Sequence, residues 1–391
     1  MTLTLFLIAG EPSGDKLGAA LMAGLKAVSG EDIVFHGIGG PLMQAEGLTP
    51  LFPMEELSVM GLAAILANYR RLLGRVEDAA RAVQDIGPDA LITIDIPEYS
   101  LRVAGKVKAA MPHLPTVHYV APTVWAWRAR RARKMAKSID HVLALFPFEP
   151  PYMQAEGMGC DFVGHPIATE PQAGEADRAA FRAGLGLMPD HPLILALPGS
   201  RRGEVEKLMP IFGEALRPVI AARPDAAIVL PAAPAVAALV ADKLAGWPGQ
   251  VHLLDPRGKT HDQALAEKRA AFGAADVALA ASGTVSLELA AAETPMVIAY
   301  DTNWLSRAVI ASMLKVDTVT LVNLVSDTRA VPEFIGDNCR PDRIGRALLS
   351  LIGDGDARLA QLDAMAVTMM RLGRGGEAPG LRAARSVLAA I

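Results

Sequence analysis

The sequence predicts an α/β protein made of two doubly wound domains, and three observations support this prediction. Short apolar runs of strand length alternate with longer helical patterns along almost the whole chain, which is typical of parallel sheets covered by helices. At 391 residues the chain is too long for one ordinary hydrophobic core. Residues 165–174, punctuated by proline and glycine, interrupt the alternation and predict a domain boundary. We therefore expect domains at residues 1–165 and 175–391, and the pattern leaves open whether the last helix crosses back to the first domain.

The composition excludes several classes of protein. A net charge of −4 argues against general nucleic-acid binding. Two cysteines, Cys160 and Cys339, give neither a disulfide framework nor a zinc-site spacing, which suits a reducing cytoplasm. The longest uncharged run, Ala226–Ala241, contains Pro231 and Pro234, so no transmembrane helix is expected. The N-terminus enters a strand pattern without a preceding basic region, so no signal peptide is expected either.

The strand predictions come from short apolar runs that end at turn residues. In the first half these are Thr2–Ala9, Ile33–His36, Ala90–Ile94, Thr116–Val120, His141–Leu145 and Asp161–Val163. In the second half they are Leu193–Leu197, Ala226–Leu230, Val251–Leu254, Val277–Ala280 and Pro295–Ala299. Two such domains in tandem predict a ligand crevice at the carboxyl ends of both sheets, which would face each other.

The first predicted strand ends in the turn Gly10–Asp15, ahead of a predicted helix at Lys16–Val28. Gly14 permits a tight turn, and Ser13 or Asp15 has a side chain suited to capping the helix. Capping alone explains these residue types, but a crevice is also expected at the carboxyl end of a parallel strand. We favour a crevice-lining role for Ser13, Gly14 and Asp15.

The segment Leu57–Val76 has the periodicity of an amphipathic helix. A helix packed against the core is the usual explanation of such a pattern. An apolar start followed by clustered arginines also suits a helix that lies on an anionic bilayer surface. In this second interpretation the membrane-facing residues are Leu62, Ile65, Leu66, Tyr69, Leu72 and Leu73, with Arg70, Arg71 and Arg75 beside them.

Two carboxylates follow the apolar strand Ala90–Ile94. Asp95 ends the strand, Pro97 begins a helix, and Glu98 lies in the first turn of that helix. Asp95 could cap the helix, with Glu98 placed favourably at the positive end of the helix dipole. The alternative is a partly desolvated carboxylate at the crevice that takes a proton from a substrate hydroxyl. The residues alone favour the cap.

A basic stretch follows within Val117–Lys137, where Trp125 and Trp127 precede a cluster that includes Arg128 and Arg131. Aromatic residues beside arginines can bind nucleic acid, but the negative net charge argues against that class. A local site for phosphate or for anionic lipid headgroups fits better. A solvated helix face also explains the outer arginines.

The most distinctive joint in the second half is the turn after Leu193–Leu197. Gly199 lets the backbone approach a ligand closely, and Ser200 and Arg201 add a hydroxyl and a forked cation before the next helix. A helix N-terminus of this kind can hold a diphosphate. A plain turn with an exposed arginine explains the segment equally well.

A second joint of the same kind follows Val277–Ala280. The turn Ser282-Gly283-Thr284 precedes a helix that carries Glu288. This helix N-terminus could also hold phosphate, and Glu288 could accept hydrogen bonds from a ribose diol. Two such joints in one domain favour nucleotide binding. Helix capping explains Asp354-Gly355-Asp356 better than a metal site does. We expect neither a metal nor a cofactor.

Ten blocks along the chain resemble the lipid-A-disaccharide synthase family. They run from the first strand to about Glu333, in the family's order and spacing: AGEPSGD, HGIGGPLM, MEELSVMGL, DIPEYS, PTVHYVAPTVWAWR, LALFPFEPPYM, FVGHP, LPGSR, ASGTVSLELA and LVNLV. The sequence departs from the family pattern at Pro12, usually alanine, and at Ile335-Gly336, usually Leu-Gln.

The resemblance implies a GT-B fold, with two Rossmann-like domains facing across a cleft, and an inverting glycosyltransferase. The family joins UDP-2,3-diacylglucosamine to 2,3-diacylglucosamine 1-phosphate, which gives a β(1→6) disaccharide phosphate and UDP in lipid A (lipopolysaccharide) biosynthesis. Its members are peripheral proteins on the cytoplasmic face of the inner membrane. By this resemblance Asp95 would be the base with Glu98 in reserve, Arg201 would meet the diphosphate, and Asn323 would contact the donor's polar edge.

Two rival functions remain from the sequence. One is another GT-B enzyme that acts on UDP-N-acetylglucosamine, such as a 2-epimerase, which needs no acylated substrate. The other is a non-catalytic protein that binds a nucleotide sugar or a lipid and does not need the Asp95 carboxylate. The sequence leaves the oligomeric state open, a homodimer included.

Overall fold

The computed structural model describes residues 2–57, 62–125, 130–301, 317–353 and 355–391; of residues 62–69 it describes the helix but not the side chains. The chain divides into two compact units. The first comprises residues 1–169 together with residues 372–391, and the second comprises residues 170–371.

The first unit is built on a seven-stranded sheet with the order β3-β2-β1-β4-β5-β6-β7, and every neighbouring pair is parallel. Because all the strands run the same way, their carboxyl ends meet at one edge. The strands are β1 (Leu3–Ala9), β2 (Ile33–Ile38), β3 (Leu48–Pro50), β4 (Ala90–Ile94), β5 (Thr116–Tyr119), β6 (His141–Ala144) and β7 (Gly159–Phe162).

Helices connect these strands and cover the sheet. They are α1 (Pro12–Val28), α2 (Pro41–Ala45), α3 (Leu62–Ile86), α4 (Pro97–Ala110), α5 (Arg130–Met135) and α6 (Pro150–Gln154), with 3₁₀ turns at Met54–Glu56 and Pro166–Thr169. A single cluster of buried side chains joins Phe6 of β1 and Leu91 of β4 to Val83 of α3 and Val103 of α4. Burial of such apolar side chains supplies most of the stability of the unit.

The second unit repeats this architecture with a six-stranded parallel sheet in the order β10-β9-β8-β11-β12-β13. The central strands β8 and β11 are buried at every residue, as expected for a parallel sheet with both faces covered. The strands are β8 (Leu193–Leu197), β9 (Ala227–Pro231), β10 (Gln250–Leu254), β11 (Val277–Ala281), β12 (Met296–Tyr300) and β13 (Glu333–Ile335).

The helices of the second unit pack around a core that joins Ile194 of β8 and Leu279 of β11 to Phe212 and Leu216. They are α7 (Glu175–Gly184), α8 (Arg202–Ala222), α9 (Ala237–Lys243), α10 (His261–Ala274), α11 (Val285–Ala291), α12 (Leu321–Ser326), α13 (Pro341–Leu351) and α14 (Asp356–Arg371), with 3₁₀ turns at Pro234–Val236 and Gly336–Asn338.

The two sheets confirm the predicted fold class, and most predicted strands lie within two residues of the observed bounds. Strands β3 and β13 were not predicted; they have three residues each and lie at the edges of their sheets. Helix α1 begins at Pro12, four residues before its predicted start at Lys16. Pro12 occupies the first helical position, where a proline is favourable because no backbone N–H is needed there.

The last helix, α15 (Pro379–Ala390), belongs to the first unit, which is the crossing back that the sequence pattern left open. It packs on α1, and two glycines allow the two backbones to touch. A Cβ atom on Gly380 would lie 2.4 Å from the carbonyl oxygen of Ala20, and one on Gly24 would lie 2.4 Å from that of Gly380. The Arg382 guanidinium also donates to the carbonyl of Phe162, at 2.6 Å.

We expect Gly380→Ala to lower the free energy of unfolding by about 1–3 kcal/mol, because the added methyl meets backbone that cannot move cheaply. Gly105→Ala is the matched control, since Gly105 lies within α4 and its Cβ would meet nothing within 4 Å. That variant should gain up to about 1 kcal/mol from helix propensity. Chemical denaturation followed by circular dichroism measures both, and equal stability of the two variants would contradict the close packing.

Candidate functional site

The second unit contains a cavity of about 680 Å³ at the carboxyl end of its sheet. The wall is formed by the segments that follow four adjacent strands, β10, β9, β8 and β11, and by helix α10. Ligands of doubly wound proteins bind at this edge of the sheet. Seven residues predicted to bind the donor lie in the wall: Gly199, Ser200, Arg201, Ser282, Gly283, Thr284 and Glu288.

The N-terminus of α8 is not open in the way that the sequence predicted. The Glu204 carboxylate accepts hydrogen bonds from the backbone N–H groups of Ser200, at 3.2 Å, and Arg201, at 3.3 Å. Gly199, with φ of 112°, approaches so closely that a Cβ there would lie 2.5 Å from that carboxylate. The Glu204 carboxylate is therefore an internal anion that already occupies these two N–H groups.

The Arg201 side chain remains accessible to a ligand. It is 83% exposed, and its guanidinium lies 3.3 Å from the Glu204 carboxylate. Arg201 and Glu204 also line an adjoining cavity of about 590 Å³, together with Lys207, Tyr300 and Asp301. Lys207 pairs there with Asp301 at 3.1 Å, and Arg201 lines both cavities.

The N-terminus of α11 presents free backbone donors. Ser286 and Leu287 donate their N–H groups to the carbonyls of Gly283 and Thr284. In the part of the chain that the structure describes, no hydrogen bond occupies the N–H groups of Thr284 or Val285. Gly283 and Thr284 are both exposed to solvent. This turn can therefore hold an anion without displacing a side chain.

Glu288 lies in the same wall and is paired with Lys268 of α10. The Lys268 ammonium also lies 5.1 Å from the centre of the Phe272 ring. Lys268 was not predicted as a site residue, because nothing in its local sequence pattern distinguishes it from an ordinary basic residue on a helix. The Glu288 carboxylate is thus held in place and can still accept a further hydrogen bond at its open side.

An apolar wall faces these polar groups. It consists of residues 231–234, at the end of β9 and just beyond it, together with Leu254, Pro256 and Leu265. From the sequence, the run around Pro231 was interpreted as a strand and a turn and was not assigned to a binding site. An apolar surface beside an anion-binding turn is suited to the base of a nucleotide.

Asn323 does not belong to this site, which corrects the prediction. It is 1% exposed, and its amide nitrogen donates to the Val331 carbonyl at 2.9 Å and to the Thr318 hydroxyl at 3.3 Å. Its amide oxygen accepts the N–H of Val331 at 3.0 Å. Because both ends of the amide are hydrogen-bonded, Asn323 links α12 to the segment before β13 and has no free amide group for the UDP-sugar.

In the first unit, Asp95 lies at the carboxyl end of β4 in an unusual backbone conformation. Asp95 and Ile96 have φ angles of 53° and 40°. This left-handed region is uncommon but tolerated for aspartate, and it is strained for the β-branched Ile96. Ile96, not Asp95, is the N-cap residue of α4, and no side chain caps that helix. The capping explanation of Asp95 is therefore wrong. The Asp95 side chain is half-buried, and among the described residues its carboxylate makes no hydrogen bond.

Glu98 lies three residues later in the first turn of α4. Its side chain is 78% exposed, and its carboxylate is 3.9 Å from the Arg131 guanidinium of α5. An exposed carboxylate resembles a group in water, so Glu98 is less desolvated than Asp95. Arg131 is one of the described members of the basic cluster, whereas Arg128 and Trp127 lie outside the described residues.

The predicted crevice-lining role of the first turn fails for two of its three residues. Asp15 is 3% exposed, and its carboxylate accepts the N–H groups of Gly40, Leu42 and Met43 at 2.9–3.0 Å. Asp15 therefore caps the N-terminus of α2, although it belongs to a different helix, α1. Gly14 is buried against Ala9 and Ile94, and only Ser13 is exposed.

The helix predicted to face a membrane is longer than expected, since α3 extends from Leu62 to Ile86. The side chains of Leu62, Ile65, Leu66 and Tyr69 lie outside the described part. Arg70 and Arg71 are exposed, Leu72 is half-buried and Leu73 is 37% exposed.

Arg75 must be removed from the basic cluster on this helix. Its guanidinium binds the Glu56 carboxylate at 2.9 and 3.0 Å and Asp78 at 3.1 Å. It also lies 4.6 Å from the centre of the Phe52 ring. With two acidic partners, Arg75 offers little attraction to an anionic surface.

A buried acid at the same sheet edge escaped the sequence analysis. Glu149 is 2% exposed, and its carboxyl group accepts the N–H groups of Leu145, at 3.1 Å, and Phe146, at 3.0 Å. Burial raises the pKa of Glu149 to about 8, although the two backbone hydrogen bonds oppose this shift. The group is therefore mostly neutral at pH 7 and serves to shape the turn after β6.

Neither a metal cluster nor a membrane-spanning helix is found among the described residues. No three or more His, Cys, Asp or Glu side chains of this part of the chain are grouped so that they could hold a metal ion. Each helix described is too short or too polar to span a bilayer.

Comparison with known proteins gives one consistent family. The sequence model of a family described as lipid-A-disaccharide synthetase matches residues 5–374. The lipid-A-disaccharide synthase of Ruegeria pomeroyi is 59% identical over 383 residues, covering 98% of this chain and 94% of that protein. The lipid-A-disaccharide synthase of Rhodospirillum centenum is 45% identical over 389 residues, covering 100% of this chain and 95% of that protein.

Solved structures agree on the fold. The chain is similar to the UDP-GlcNAc 2-epimerase from Neisseria meningitidis, crystallised bound to UDP-GlcNAc, with a TM-score of 0.60. The match covers 99% of this chain and 98% of the epimerase at 13% sequence identity. At that identity the likeness concerns the two-domain GT-B architecture and not the reaction.

Proposed function

Since the chain belongs to the lipid-A-disaccharide synthetase family, we propose that it transfers a diacylglucosamine unit from its UDP derivative to 2,3-diacylglucosamine 1-phosphate. The products are a β(1→6) disaccharide 1-phosphate and UDP. The observation that carries this proposal is the match over nearly the whole chain to relatives of that name, at up to 59% identity. The cavity of the second unit supports it with groups suited to a UDP-sugar.

The donor's parts can be assigned to the cavity wall by chemistry. We place the diphosphate between the Arg201 guanidinium and the free N–H groups of Thr284 and Val285, which together provide a cation and oriented dipoles. Glu288, held by Lys268, accepts hydrogen bonds from the ribose hydroxyls. The uracil ring packs against the apolar wall near Pro231 and Leu254.

In the reaction, Asp95 takes the proton from the acceptor's primary hydroxyl. The hydroxyl oxygen attacks the donor's anomeric carbon, the bond from that carbon to the diphosphate oxygen breaks, and UDP leaves with the electron pair. Attack on the face opposite UDP inverts the configuration. Arg201 and the donors at Thr284 stabilise the charge that develops on the leaving diphosphate. Asp95 suits the role of base because it is half-buried at the sheet edge and no hydrogen bond engages its carboxylate within the described residues.

Both substrates carry acyl chains, so the sugars that react lie at a bilayer surface. We therefore propose that the protein binds the cytoplasmic face of the inner membrane peripherally, through the exposed part of α3. Arg70 and Arg71 would attract anionic lipids, and Leu73 would enter the headgroup region.

This proposal predicts that Arg70→Gln/Arg71→Gln weakens binding to phosphatidylglycerol-containing vesicles by about thirtyfold at low salt, since each basic group near an anionic surface contributes about 1 kcal/mol. High salt should remove the same part of the affinity in the parent protein. The control is Arg343→Gln/Arg346→Gln, the same charge change on α13 of the second unit. Vesicle sedimentation measures the binding, and equal effects of the two double variants would refute the α3 surface.

Dependence on the acceptor distinguishes the proposed glycosyltransferase from the rival enzyme class. A glycosyltransferase releases UDP from the UDP-sugar only when the acceptor is present, whereas a 2-epimerase converts UDP-N-acetylglucosamine alone. We expect the purified protein to release UDP from UDP-diacylglucosamine in an acceptor-dependent way and to leave UDP-N-acetylglucosamine unchanged. Epimerisation without acceptor would support the rival enzyme, and binding of the donor without any turnover would support a non-catalytic protein.

A further inference from the structure

The backbone at Asp95 is held by contacts on both of its sides. The N–H of Asp95 donates to the Tyr119 carbonyl at the end of β5, at 3.0 Å. The carbonyl of Asp95 accepts a hydrogen bond from the Ser100 hydroxyl, at 2.8 Å. Ser100 lies in the first turns of α4 and is 0% exposed, so this hydroxyl is fixed by the surrounding core.

The neighbouring residue of the turn is fixed by packing. Ile96, at φ of 40°, is a β-branched residue in the left-handed region, where a conformation costs about 1–3 kcal/mol. Its side chain fills the space over Gly10, because a Cβ on Gly10 would lie 2.4 Å from Cδ1 of Ile96. The strained turn is therefore supported by Gly10 under Ile96 and by Ser100 and Tyr119 at Asp95.

The Ser100 hydroxyl is not needed for the hydrogen bonds that close the first turn of α4. The backbone N–H groups of Tyr99 and Ser100 both donate to the Ile96 carbonyl, so the first turn of α4 closes without the side chain. The hydroxyl reaches one residue further, to the carbonyl of Asp95. Without this donor, the Asp95 peptide keeps the hydrogen bond from its N–H to the Tyr119 carbonyl but loses the one at its own carbonyl, so the strained turn is less constrained on the Asp95 side.

We propose that Ser100 is a positioning residue: its buried hydroxyl holds the left-handed turn at Asp95 and so fixes the place of the Asp95 carboxylate. Ser100 touches no substrate and acts only through Asp95. The inference rests on the proposed role of Asp95 as the base. A misplacement of a catalytic group by about 1 Å can cost about a hundredfold in rate, so a lost backbone hydrogen bond has a measurable effect.

The test compares Ser100→Ala with Ser326→Ala in steady-state kinetics. Ser326 is also a buried serine that donates to a backbone carbonyl, that of Val322 at 2.7 Å, but it lies in the second unit. We expect Ser100→Ala to lower kcat by about tenfold to a hundredfold with KM for both substrates within about twofold of the parent. Ser326→Ala should lose similar stability and keep the parental kcat. Equal kcat values for the two variants would overturn the inference.

A double variant separates the failure of this inference from failure of the proposed base. Asp95→Asn/Ser100→Ala should turn over no more slowly than Asp95→Asn alone, because nothing remains to be positioned. If Asp95→Asn is nearly as active as the parent, the assignment of the base is wrong and the inference falls with it. If Asp95→Asn is inactive while Ser100→Ala is fully active, only the positioning role is wrong.

Should Ser100→Ala fail to fold, Ser100→Cys carries the same test. Cysteine has the same branching as serine with a somewhat larger terminal atom, and its thiol is only a weak hydrogen-bond donor. We expect a loss of kcat in the same direction, again with little change in KM. A folded Ser100→Cys protein with parental kcat would contradict the proposal.

Discussion

Replacing Asp95 with asparagine is expected to lower kcat by roughly two to four orders of magnitude, the usual contribution of a general base. Asparagine keeps the size of the side chain and tolerates the left-handed backbone that Asp95 adopts. The fold should therefore be preserved, and only the group that takes the acceptor's proton is lost. Single-turnover kinetics with both substrates measures the effect, and calorimetry with UDP measures donor binding.

Donor binding supplies the control for this prediction. Because the Asp95 carboxylate belongs to the first unit and the cavity to the second, the affinity of Asp95→Asn for UDP should stay near that of the parent. An Asp95→Asn protein that loses activity only in proportion to its lost stability would indicate a structural role. If Asp95→Asn is nearly active and Glu98→Gln is inactive, the exposed Glu98 is the base instead.

Replacing Arg201 with alanine is expected to slow turnover by roughly a hundredfold or more and to weaken UDP binding by about tenfold to a hundredfold. Arg201 faces the cavity with a mostly exposed guanidinium, whereas Glu204 occupies the backbone N–H groups beside it. The Arg201 side chain must therefore provide most of the favourable interaction between this turn and a diphosphate. Isothermal calorimetry and steady-state kinetics measure the two losses.

Two further variants sharpen the Arg201 prediction. Arg201→Lys should restore activity only in part, because a point charge cannot replace the guanidinium fork. Arg202→Ala is the matched control, since Arg202 is 76% exposed, pairs with Glu206 at 2.8 Å and does not line the large cavity. Similar losses in Arg201→Ala and Arg202→Ala would point to a general charge effect and contradict a specific contact.

The sequence was sufficient for the parallel core of both sheets. Strands such as β4 and β8 are buried at every residue, so they appear as unbroken apolar runs that end in turn residues. The edge strands β3 and β13 were missed because they are only three residues long and partly polar. The C-terminal helix could not be assigned either, since its place depends on a close contact between Gly24 and Gly380, far apart in the chain.

The candidate site was predictable where a residue's role follows from its place at the end of a strand. Arg201 and Thr284 were found in this way, because phosphate-binding turns have a local chemistry. Lys268 was not found, since its partner Glu288 lies 20 residues away.

Two predictions failed because the partners of a polar side chain cannot be inferred locally. Asn323 is bonded to Val331 and Thr318 within the core. Asp15 is bonded to N–H groups of α2, 25 to 28 residues further along the chain. In both cases a polar residue near a predicted crevice proved to satisfy buried backbone instead.

The measurement that tests the central claim most directly is the structure of the product. The purified protein is incubated with UDP-2,3-diacylglucosamine and 2,3-diacylglucosamine 1-phosphate, and the lipid fraction is analysed by mass spectrometry and NMR, with Asp95→Asn as the control. We predict one new species, whose mass is that of the two substrates minus UDP and whose linkage is β(1→6). An unchanged acceptor beside consumed or epimerised UDP-sugar would contradict the proposed function.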